Sequence, residues 1–248
     1  MIEIDDVGLA KAITINSNNQ NSIKPRDLKS TNEVQVRLKR EFEKRFAGTY
    51  SFEIKRGESA AEGLEIITNE EAGRLLLAFD LNEPETCHQV YKLFDDKYSE
   101  IFARPAVTAD RVVFLHRIME VIQTCMAEIE YKPLSKYGLT RFFLLSCISL
   151  LLQKDQGCRN IVKNPREIFE SGDIDAFLNA VGEALRSMII DLNYEVKTRG
   201  ETFDYKGDLK SPVKVRDLRS ELLKSYEKEL AKGKIKPISV VMAASTVS

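Results

Sequence analysis

The chain has 248 residues, 43% of them hydrophobic and 30% charged, with a net charge of −1. That length and apolar content suffice for a sizeable core and exclude a disordered chain. The near-neutral balance gives by itself no sign of a polyanion partner. Its distribution is uneven: residues 24–58 hold ten Lys/Arg against six Asp/Glu, and residues 206–236 hold ten against five. Two basic segments therefore flank an acidic body, read either as solvated helix faces or as a phosphate-facing surface. The longest apolar run, Phe142 to Leu152, reaches about 16 Å as a helix, too short for a bilayer of about 30 Å. "MIEIDDVGL" lacks the basic-then-apolar pattern of a signal peptide. The expected location is the cytoplasm, with no membrane association.

"MIEI" reads as the end of a strand. A short helix follows, with Val7, Leu9/Ala10 and Ile13 at helical spacing. An amide-rich stretch comes next: Asn16, Asn18, Asn19, Gln20 and Asn21, then Lys24, Pro25 and Arg26. A helix restarts at Ser30 or Thr31, with Val34, Leu38, Phe42 and Phe46 recurring every four residues on one face. "TYSFEIKRGE" alternates Tyr50, Phe52 and Ile54 with polar residues, the pattern of a half-buried strand. "GLEII" is expected to pair with it as a β-hairpin. From Thr68 onward the periodicity is helical. Thr68 with Glu70 and Glu71 marks one start, and Pro84 and Pro105 separate further helices. Residues 108–131 and 139–152 are apolar on most faces, hence central. Ser171-Gly172-Asp173 precedes a long helix, and Pro212 and Gly233 bound a last one. From Pro237 the chain is expected to fray. The predicted fold is α+β but mainly α. Residues 1–67 form a partial α/β layer with the amide-rich loop and hairpin, and 68–248 form a helical body.

Chemistry-bearing residues are sparse. Cys87, Cys125, Cys147 and Cys158 lack CxxC spacing and read as reduced, buried hydrophobes. With only His88 and His116 as histidines, no zinc site and no nucleophile–His–acid set is predicted. There is no P-loop and no GxGxxG. The amides carry donors and acceptors without charge. Beside Lys24 and Arg26 they can line a nucleotide or nucleic-acid site; equally, they can close a helix end through Asx-turns. Glu53 and Lys55, at i and i+2 on a strand, with Asp27 upstream, match the pattern by which restriction-type nucleases hold Mg²⁺. The same [DE]-x-K spacing occurs at seven places, so the pattern discriminates little. Lys55 and Arg56 can instead neutralise a phosphate.

"NSNNQNSIKPRDLKS", "VQVRLKREFEKRF", "YSFEIKRGE", "NEEAGRLLLAFDLNEPETCHQVYKLFDDKYSEIF" and "FDYKGDLKSPVKVRDLRSELLKSYEK" resemble the AIPR family, named for abortive-infection phage resistance. The amide run with KPRDL is the specific part. Asn18 to Asn21 followed by Asp27-Leu28 is also similar, more loosely, to the nucleotide-holding segment of ParB-type partition proteins, although no Arg follows Gln20. The AIPR resemblance implies a role in antiphage defence. Members carry an earlier half with a Gly-Gln-Gln-Thr-type turn, which is not found here. The chain is therefore expected to be the C-terminal portion of a longer polypeptide or the product of a split gene, with the missing N-terminal half as partner. The expected ligand contacts are Asn16, Asn18, Asn19, Gln20, Asn21, Lys24 and Arg26, with Lys55 and Arg56 secondary. The rivals are a Mg²⁺-dependent nuclease using Asp27, Glu53 and Lys55, and a scaffold that docks the missing half.

Overall fold

The computed structural model describes residues 29, 31–55 and 63–245. The amide stretch, Lys24, Arg26, Asp27 and Arg56 lie outside the described residues, as do the first predicted strand and helix. The described chain opens with α1 (Glu33–Arg45), capped by Asn32 rather than Ser30 or Thr31: its Oδ1 accepts from Val34 N. Leu38 and Phe42 are buried from its apolar face, with Val34 and Phe46 packed beside them. Phe42 stacks on Phe52, ring centroids 4.9 Å apart. Phe52 belongs to β1 (Tyr50–Glu53), whose alternate side chains are buried.

The partner of β1 is β2 (Glu65–Thr68), and the pair is parallel. Tyr50 faces Glu65 and Glu53 faces Thr68, a constant offset that a hairpin cannot produce. This corrects the predicted β-hairpin. The eleven residues between the strands are long enough for a return crossover, whereas a hairpin would have needed a short turn.

Helices make up the remainder: α2 (Asn69–Asp80), α3 (Val90–Phe94), α4 (Tyr98–Phe102), α5 (Ala109–Cys125), α6 (Lys132–Ser135), α7 (Gly138–Lys154), α8 (Arg159–Lys163), α9 (Arg166–Ser171), α10 (Ile174–Arg199), α11 (Tyr205–Asp208), α12 (Pro212–Ala231) and α13 (Ile238–Ser245). As predicted, α5 and α7 are central and buried on nearly every face. Helix α2 packs on both, α10 packs on α5, and α12 packs on α10 and α7. Phe114 and Phe177 meet between α5 and α10, ring centroids 5.3 Å apart. Gly172 takes φ 81°, a left-handed turn that ends α9 before α10 begins.

The C-terminal segment is not frayed through Ser245. It forms α13, which packs on α10, with Ile238 buried. Asp155 Oδ2 accepts from Ser239 N at 2.9 Å, satisfying a donor at the helix start. One buried cluster runs from Leu38 to Ile238.

A charged network lies inside this body. Asp80, at the end of α2, has a side chain only 3% exposed. It accepts from Arg104 at 2.7 Å and from Arg111 of α5. Arg111 also donates to the Val162 carbonyl and lies over the Phe79 ring. Buried charges persist only when paired and hydrogen-bonded, and here both conditions are met.

Candidate functional site

Parallel strands bring their carboxyl ends to one side, where ligands of α/β layers bind. Here that edge carries Glu53 opposite Thr68, then Ile54 and the exposed Lys55. Asn69, fully buried at the start of α2, donates to the Ile54 carbonyl at 3.0 Å and fixes the chain as it leaves β1. Thr68 Oγ1 accepts from Glu71 N at 3.1 Å and caps α2. A helix N-terminus and a lysine thus meet at the strand ends. Arg56 follows directly in sequence, outside the described residues. Of the Mg²⁺ set, Glu53 is half-buried and Lys55 exposed, while Asp27 is outside the described residues.

A second polar centre was not anticipated. His116, buried on α5, places Nδ1 2.9 Å from Glu71 of α2 and Nε2 2.8 Å from Glu65 of β2. The Tyr50 ring meets it edge-on at 5.8 Å. Burial pushes the imidazole pKa down, but the hydrogen bonds to Glu71 and then Glu65 outweigh it, so the net shift is upward. His116 therefore links the sheet, α2 and α5. Glu65, His116 and Glu120 also bring one ligand atom each within 4.8 Å of one another, and they are the group of metal-ligating type among the described residues. The chemistry favours the proton over a cation there: both ring nitrogens already face carboxylates, and Glu120 is paired with Arg117 Nε at 3.0 Å. The sequence hint was a histidine in line with buried Val112 and Met119.

Part of each basic segment is committed to the fold. On α1, Arg37 donates to the Val107 carbonyl at 2.7 Å, and Arg45 pairs with Asp110 at 2.7 Å. The hydrogen bond that Arg45 donates to Asp110 is the largest influence on it and raises its pKa. Arg40 and Lys44 stay exposed. Near α12, Lys214 pairs with Asp208 at 2.6 Å, Arg199 pairs with Glu221, and Arg219 reaches the Asn82 carbonyl at 3.4 Å.

The four cysteines are free and buried, as the sequence predicts. Burial pushes the Cys147 and Cys158 thiols up to about 12, which suits packing rather than nucleophilic attack. Among the described residues no helix is long and apolar enough to cross a membrane.

Residues 1–198 match the family model described as AIPR protein. No curated protein and no solved structure matches the chain.

Proposed function

The chain belongs to the AIPR family, and from that premise we propose that it acts in the cytoplasm in bacterial antiphage defence by abortive infection, recognising a nucleotide or nucleic acid. Asn16, Asn18, Asn19, Gln20, Asn21, Lys24 and Arg26 are the contacts, and Lys55 and Arg56 the secondary ones. The observation that carries this reading is the extent of the family match, which includes both the amide run and the end of β1. The parallel strand pair adds support. It sets Lys55 at the carboxyl edge beside the N-terminus of α2, where a phosphate gains from the aligned helix dipole.

The test is a phage challenge. Cells carrying the full chain lower phage plating, and cells carrying Lys24→Ala with Arg26→Ala lose that protection while keeping normal protein levels. Unchanged protection by the double variant contradicts the assignment.

A second reading rests on Glu53, at the end of β1, and Lys55, two residues beyond it: a Mg²⁺-dependent nuclease completed by Asp27. It predicts metal-dependent cleavage of DNA that Glu53→Gln abolishes. Retained binding without cleavage by the wild-type chain favours pure recognition.

A further inference from the structure

The entrance side of α2 and α7 holds a cavity of about 270 Å³, lined by Thr68, Glu70, Glu71, Arg74, Gln123 and Arg141 among others. Arg141 lies early in α7 and is half-buried. Among the described residues it pairs with no carboxylate and donates no hydrogen bond; its contact is the Phe142 ring, 4.8 Å from the guanidinium carbon. Its Nε is buried without an acceptor, and so is that of Arg74 in the same cavity lining.

The carboxylates nearby are already engaged. Glu70 accepts from Arg74 Nη2 at 2.6 Å, and Glu71 faces His116 Nδ1 at 2.9 Å. Among the described residues Arg141 thus has no carboxylate in direct contact, although Glu71 attracts it at longer range. Half-burial and its neighbour Arg74 hold its pKa below the usual arginine value. A guanidinium at a cavity wall with no direct carboxylate partner is open to an anion. The start of α2 contributes Thr68, Glu70 and Glu71 to the lining, and α7 contributes Arg141 and Phe142.

We propose that this cavity binds a phosphate group between the Arg74 and Arg141 guanidiniums. Arginine matches the geometry of phosphate oxygens with paired N–H donors. The volume lies just below the roughly 300–1,000 Å³ of whole small-ligand sites. It therefore takes the phosphate itself, either free or as the end of a nucleotide whose sugar and base remain outside. None of the lining residues belongs to the amide run.

The experiment titrates the full chain with inorganic phosphate by calorimetry and thermal shift, with chloride at matched ionic strength as control. Saturable binding is expected, with Tm rising by about 5 °C or more at a hundredfold excess over Kd. Arg141→Gln weakens binding at least tenfold, and its ligand-free Tm equals or exceeds that of wild type, because an unpaired charge is gone. Arg74→Gln weakens binding as well. A nucleoside monophosphate that binds more tightly than phosphate, and loses that gain in Arg141→Gln, assigns the phosphate to a nucleotide; equal affinities assign the free anion. Absence of a phosphate-specific shift, or wild-type affinity in both variants, overturns the proposal. Both variants spare residues 16–26, so such a failure leaves the amide-run reading standing.

Discussion

Replacing Asp80 by Asn is the sharpest test of how the helical body is held. The substitution keeps the shape and removes the negative charge that, among the described residues, pairs with Arg104 and Arg111. Arg111 is the buried partner, its side chain 9% exposed, and it stays locked by the Val162 carbonyl and the Phe79 ring. It cannot swing into water to relieve the loss. Breaking one side of a buried pair costs about 3–5 kcal/mol. An unfolding entropy of about 2.1 cal/mol/K per residue over 248 residues gives about 0.5 kcal/mol/K. The expected fall in Tm is therefore roughly 6–10 °C, read by circular dichroism. Arg104→Gln leaves the Asp80–Arg111 pair intact and removes a partner 30% exposed, so it costs less than half as much. A fall below about 2 °C for Asp80→Asn, or equal losses in the two variants, refutes the view that this charge organises the body.

Two further outcomes follow from the same geometry. The pKa of His116 is raised on folding, so its stabilising contribution is full below the unfolded value of about 6.5 and fades as pH climbs through the folded one. The Tm gap between wild type and His116→Gln should therefore be widest near mildly acidic pH and shrink under alkaline conditions; a gap independent of pH contradicts the link. Ile238→Asp places a charge at a buried position that docks α13. Limited proteolysis should then cut the chain after Gly233 faster than in wild type, and equal cutting rates contradict the docking.

Much of the helical body was legible because its signals are local. Thr68 caps a helix where the residue type says it should, and Val34, Leu38, Phe42 and Phe46 share a face because 3.6-residue periodicity places them there. The direction of the strand pair was not legible. Alternation at Tyr50, Phe52 and Ile54 reports a buried face and says nothing about which way the partner runs. The helix from Ile238 was missed for a related reason. A short run of small, uncharged residues has little helical signal alone, and its order comes from packing on α10 and the bond from Ser239 N to Asp155.

The polar centres were hidden by sequence distance. Glu65, Glu71 and His116 come from β2, α2 and α5, and each sits in an ordinary local context. Arg141 reads locally as the polar start of an apolar helix. Only the tertiary arrangement leaves it without a partner in a cavity beside Arg74. The expected contacts Asn16 to Arg26 rest on residue chemistry and the family match, and Lys55 rests also on its exposed place at the strand edge.

Recognition of a nucleotide or nucleic acid by residues 16–26 is the central proposal. Fluorescence anisotropy of labelled oligonucleotides, with calorimetry for mononucleotides, measures it directly on the full chain. Saturable binding is expected, weakened at least tenfold when Asn18, Gln20, Lys24 and Arg26 are replaced together by alanine, since charge-assisted contacts each contribute about 1.5–3 kcal/mol. Binding that is absent for every ligand, or unchanged in that variant, contradicts the account.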